Sequence, residues 1–164
     1  MFGVIVLFII KRFSSIFFTS VLILLGILSF ALPRYIAYGK FIGFELCTLA
    51  TVLTSLSYGP HYGAFTGLVT IFFGFVFGGH FKPTYFISVL TMPVIGLITP
   101  LFSDLPLLWI GVLMTLLYDA IILPLYVFIG GSKITSVIIF GITHLFLNAW
   151  IFATLAPLIR SVMV

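Results

Sequence analysis

From position 106 to 128 the chain reads PLLWIGVLMTLLYDAIILPLYVF, an apolar run broken by one acid. Five comparable runs occur elsewhere, at 13–32, 43–57, 62–77, 84–102 and 135–159. About 20 apolar residues in a helix cross the ~30 Å hydrocarbon core of a bilayer. The second and third runs are shorter than that and are expected to extend into the YGPHYG turn or to sit where the membrane thins. The runs are continuous, whereas barrel strands alternate apolar and polar residues, so the expected elements are helices. Only 6% of the residues are charged and 63% are hydrophobic, against ~25% charged in an ordinary soluble domain. Too few polar side chains remain to cover a surface facing water, and lipid is the expected solvent. The 164 residues thus predict one all-α domain over 1–164, a polytopic six-transmembrane-helix bundle. Its expected location is the cell membrane, multi-pass, with no room for a separate soluble domain.

The breaks carry turn chemistry: LPRYIAYGK, YGPH, GGHFKP, SDLP and GGSK. Pro93 and Pro124 fall inside runs, where a proline frees a carbonyl and kinks a helix. The net charge of +4 comes from Lys11, Arg12, Arg34, Lys40, Lys82, Lys133 and Arg160. These are scattered as interface anchors are, so no nucleic acid is expected. The start, KRFSSIFFTSVLILLGILSFA, partly imitates a signal peptide. Its apolar run exceeds the 7–15 residues of a signal h-region, and it is expected to persist as the first helix, with residues 1–10 at the interface or extending it. Six spans would put both termini on one face, with three basic residues there and four on the other. That balance leaves orientation open. Cys47 is the one cysteine, so it is expected to pack as a small apolar group.

The third run contains a stripe of small residues. Gly63, Gly67, Thr70, Gly74 and Gly78 fall within an arc of roughly 80° at ~100° per residue. Such a face lets another helix approach closely. Packing inside the bundle is the expectation, with docking of a partner helix as the sharper alternative.

Four polar residues lie where lipid is expected. Asp119 sits among leucines and isoleucines, sharing a face with Thr115 and Tyr126. A carboxylate there costs ~2.5–3.5 kcal/mol or more, and such residues mark functional sites by default. Glu45 opens the second run with Thr48, Thr51 and Ser55 on its side, close enough to the headgroups to pair with Lys40 or Arg34. His144 and Asn148, in THLFLNAW, are four residues apart and share a face. The alternative to a binding role is structural for each: a neutral Asp119 bonded to a neighbouring helix, and Asn148 as interhelical glue. No GxSxG elbow, HExxH, P-loop or paired-carboxylate motif is present, and the histidines lack zinc-site spacing. The chain is therefore read as no enzyme, without catalytic residues, cofactor or metal.

The run Ser57-Tyr-Gly-Pro-His-Tyr-Gly-Ala-Phe-Thr-Gly67 and the late HLFLN carry a resemblance. The chain resembles the substrate-binding S-components of energy-coupling factor vitamin transporters. It is also similar to the rod-shape membrane protein MreD, which shares that architecture. The first helix lacks the alanine-xxx-alanine motif with which many S-components dock on a coupling subunit. The first resemblance implies a membrane substrate-binding subunit for small-molecule uptake, energised by coupling-module subunits. Loops 33–42, 78–83 and 130–133 would close over a pocket walled by helices four to six. Asp119, His144 and Asn148, with Glu45 second, would bind the substrate, and Gly63, Gly67, Gly74 and Gly78 would serve packing. The basic residues of those loops would suit an anionic or zwitterionic ligand. The MreD resemblance implies a non-catalytic scaffold that recruits partner membrane proteins. A third possibility, a proton-coupled carrier, would require Glu45, Asp119 and His144 to form one connected chain.

Overall fold

All six apolar runs form helices in the computed structural model, which describes residues 2–30, 43–78 and 82–163, with backbone alone for residues 2–11. These are α1 (Phe2–Ser29), α2 (Cys47–Tyr58), α3 (Pro60–Phe77), α4 (Phe86–Ile98), α5 (Leu107–Phe128) and α6 (Ile134–Met163). Short 3-10 turns, Pro83–Tyr85 and Thr99–Phe102, extend α4 at either end. Among the described residues there is no strand. Residues 2–10 continue the first helix. Arg34, Lys40, His80 and the loop 33–42 lie outside the described residues.

Five of the helical stretches are long and apolar enough to cross a membrane. The second is not. Its run begins at 43, but the chain stays non-helical to Leu46, and the helix has 12 residues, or about 18 Å at 1.5 Å per residue. That is well short of the ~30 Å core, so the count of full-length apolar helices is five, where six spans were expected.

The short helix is the centre of the bundle. Every residue from Cys47 to Ser55 is buried, and α2 packs against all five other helices. Its sequence, CTLATVLTSLSY, is rich in small and hydroxylated residues, which permit close approach of several backbones at once. The outer helices turn large apolar side chains outward instead. Leu24, Phe65, Leu90, Leu116 and Phe146 are all exposed, and α2 contributes no exposed large hydrophobic residue among those described. Apolar outside and hydroxyl-bearing inside is the pattern expected where the surrounding medium is hydrocarbon. Some interior hydroxyls are satisfied locally: Thr54, Thr99 and Thr115 each donate to the carbonyl four residues earlier.

Contacts fix the directions. Ser15 meets Tyr62 and Gly26 meets Thr70, so α1 and α3 run parallel. Gly63 packs on Ser55 and Gly67 on Thr51, so α2 and α3 are antiparallel. They are joined by Gly59 alone, whose φ of 109° suits glycine, and Pro60 then starts α3 with its ring-fixed φ. Gly63 also faces Gly96 of α4, and Gly74 faces Phe30. Three of the four stripe glycines thus meet other helices or their ends within the chain. The nearest neighbours of Gly78, the C-cap of α3, are Gly74 and Phe75 of its own helix. Gly111 lies under the Phe152 ring and Gly141 against Leu123, which brings α5 and α6 together as an antiparallel pair. Prolines 93, 124 and 157 all lie inside helices.

Candidate functional site: a buried carboxylate–histidine–carboxylate chain beneath a cavity

The segment 43–46, which leads into α2, is held in three places. Gly43 lies flat against His144, where a Cβ would collide with the histidine backbone. The Gly43 N–H donates to Thr143 Oγ1 at 2.9 Å, and the Leu46 N–H donates to Ser29 Oγ at 2.9 Å. This path delivers Glu45 to the N-terminus of α2. There the Thr48 backbone N–H donates to Oε2 at 3.0 Å and the Thr48 hydroxyl to Oε1 at 2.6 Å. A carboxylate in that position satisfies one orphan amide of the helix start and meets the positive end of its dipole.

Glu45 Oε1 also lies 3.0 Å from Nε2 of His144. The other ring nitrogen, Nδ1, lies 2.8 Å from Oδ1 of Asp119. The three residues therefore form one connected chain across α2, α6 and α5. His144 is wholly buried, while Glu45 and Asp119 keep 7% and 6% of their surface. Phe140 stacks on the imidazole at 5.2 Å between centroids, and Tyr118 tilts against it at 5.8 Å. His144 stands ten residues into α6 and Asp119 nine from the end of α5. Both are therefore roughly 14–15 Å from that end of the bundle, about half the thickness of a hydrocarbon core.

The proton inventory of this chain is constrained by its geometry. Each of the two contacts needs one hydrogen, because carboxylate and bare imidazole nitrogen are both acceptors. Two protons can be arranged as an imidazolium between two carboxylates, or as a neutral imidazole with one carboxylate and one carboxylic acid. With those two protons alone the net charge is −1; a third, on a carboxyl oxygen outside the two contacts, would make the group neutral. Among the described residues no group of three His, Cys, Asp or Glu is placed to hold a metal ion.

Above the chain lies a cavity of about 300 Å3. Glu45 and His144 line it, as do Gly43 and Phe44, and α2 contributes nothing to its wall. The short central helix leaves its end of the bundle unfilled, and the cavity occupies that space. Aromatic rings contribute much of the wall, among them Phe30, Phe75, Tyr85, Tyr118 and Tyr126, with Ile71, Ile122, Leu123 and Val137 between them. Ser88 and Tyr126 pair through their hydroxyls on one side. Ser136 and the exposed Ser132 stand where the cavity meets the α5–α6 turn.

Comparison with protein-family models, curated proteins and solved structures finds no match. The site has to be read from its own chemistry.

The residues singled out in the sequence separate into two groups. Glu45, Asp119 and His144 come together, with Glu45 and His144 facing the cavity. Asp119 stands behind the histidine and does not line the cavity. Asn148 is fully buried one turn along α6, where its Nδ2 donates to the His144 carbonyl at 3.1 Å, and it does not line the cavity either. Its Oδ1 has no partner among the described residues. The described partners of Glu45 are Thr48 and His144; the basic residues expected beside it, Lys40 and Arg34, lie outside the described residues. The residues that position the chain, Ser29, Gly43 and Thr143, carried no signal in the sequence, because each acts on a segment distant from its own. Phe140 could have been found from helical spacing, lying four before His144, whereas Tyr118, adjacent to Asp119 in the chain, could not.

Proposed function

We propose that the chain is a polytopic cell-membrane protein, crossing the bilayer six times with α2 as a short buried span, and that it binds a small molecule for uptake as S-components do. The observation that carries this reading is the cavity ending on Glu45 and His144. Its volume is at the small end of ligand pockets, which run ~300–1,000 Å3 and combine apolar walls with a few polar groups. The reading is of binding without catalysis. Energy for transport would come from partner membrane subunits. The scaffold alternative of the MreD type would be favoured by a glycine stripe exposed to lipid, and Gly63, Gly67 and Gly74 are instead packed within the chain.

Mass spectrometry of small molecules that copurify with the detergent-solubilised protein tests this directly. Wild type is expected to retain a defined compound, and Ser136→Trp, which puts a large ring into the cavity, is expected to lose it. Empty wild-type protein from several expression media would argue against a binding subunit.

A second reading is favoured by the unbroken Glu45–His144–Asp119 chain, which is the arrangement a proton-coupled carrier requires. Under it, adding the copurified compound to the protein in weakly buffered solution releases or takes up protons, and Asp119→Asn abolishes that exchange. A proton count of zero at every pH between 5 and 8 would remove this reading.

A further inference from the structure

The described wall of the cavity holds an imbalance of charge. At its floor the Glu45–His144–Asp119 chain carries −1 when its two contacts hold one proton each. Among the described residues no lysine or arginine lines the cavity to offset it. Lys82 and Lys133 are exposed at the same end of the bundle, outside the cavity wall. A net charge this deep in hydrocarbon is unfavourable and draws a counter-charge. The walls are rich in aromatic rings, and faces of Tyr and Phe attract cations through their quadrupoles, the more strongly when water is excluded.

We propose that the cavity binds an organic monocation, an ammonium on a small apolar or aromatic body, with its charged nitrogen beside Glu45 and its body against the aromatic wall. This rests on the binding role proposed above and names the class of ligand. It reverses the sign expected from the loop lysines and arginines, because the charge that a bound ligand meets is the charge inside the cavity. Glu45 is the contact residue. His144 and Asp119 act through it, holding the carboxylate in place and the net charge at −1. The serine hydroxyls at the rim, Ser132 and Ser136, remain available to a polar substituent at the other end of the ligand.

Two probes with the same benzyl body and opposite charge decide the matter: benzyltrimethylammonium and benzylsulfonate. Binding of each to the full chain in nanodiscs of zwitterionic lipid is measured by equilibrium dialysis, with empty nanodiscs subtracted. The cation is expected to bind at least about tenfold more tightly than the anion, a difference of ~1.4 kcal/mol. Glu45→Gln is expected to remove that preference. Ser136→Lys places a positive charge at the rim, away from the buried chain, and is expected to weaken the cation about tenfold or more while leaving the fold intact. It decides the question even if Glu45→Gln fails to fold. Tighter binding of the sulfonate would overturn the monocation assignment and leave the binding role standing. Failure of both probes to bind above empty nanodiscs would overturn the monocation assignment, and the copurification experiment would then decide the binding role on its own. Cation binding untouched by Ser136→Lys would place the probe outside this cavity and overturn the assignment as well.

Discussion

His144→Leu is expected to destabilise the protein by ~3–5 kcal/mol, the range for removing one partner from a buried charged network. The imidazole is the sole group between Glu45 and Asp119, at 3.0 and 2.8 Å from their oxygens. Leucine leaves two buried carboxyl groups facing an apolar side chain. Glu45 keeps Thr48 as a donor, whereas Asp119 loses its described partner. The measurement is urea unfolding in a defined detergent, followed by tryptophan emission from Trp109 and Trp150. The informative control is the triple variant Glu45→Met, His144→Leu, Asp119→Leu. An apolar replacement of a whole buried ionic group is often neutral or stabilising, so the triple variant is expected to regain most of the loss while binding no ligand. A cost below about 1 kcal/mol for His144→Leu alone would show that the three residues do not act as a charged unit.

The second large effect is expected at Gly96. Its α-carbon faces the backbone of Gly63 and Ala64, and a Cβ there would run into main-chain atoms, which cannot rotate away. Ser55 Oγ donates to the Gly96 carbonyl at 2.6 Å, so α2, α3 and α4 meet at this point. Gly96→Val must push α3 and α4 apart. Overpacking of this kind costs ~1–3 kcal/mol, occasionally more, and the Ser55 bond is strained with it. The same unfolding assay reads the loss. Gly59→Ala supplies a contrast: a Cβ there meets nothing within 4 Å, and its cost arises from the positive φ alone. Equal losses at the two positions would mean that helix spacing at Gly96 is not the limiting contact.

Much of the helical layout was legible because each run is continuous and each break carries its own turn residues. The YGPH break shows this best: glycine and proline stand where the α2–α3 turn needs a positive φ and then a fixed helical one. The shortness of α2 was not legible. Gly43, Phe44 and Glu45 contain no proline or turn dipeptide, and distant contacts with α6 and with Ser29 hold the segment out of the helix. The candidate site divides along the same line. Glu45, Asp119 and His144 each stand out as polar residues in apolar surroundings, which composition alone reveals. Their connection depends on α2 and α6 lying side by side, and helical periodicity assigns a face without saying which helix it meets. Asn148 shares a face with His144 as the spacing implied, yet the cavity ends at the histidine and does not reach it.

The burial of α2 also orders the making of the protein. Glu45 and His144 are 99 residues apart, and at ~5–20 residues per second the ribosome delivers the second roughly 5–20 s after the first. Until then a 12-residue helix with an acid at its leading end is too short to cross the bilayer alone and has no counterpart for that acid. Because α1 and α3 run parallel, the segment through α2 has to carry the chain back between them, while the contacts of α5 and α6 that enclose it come only with their synthesis. A chain stopped short of residue 144 would leave Glu45 without its histidine partner.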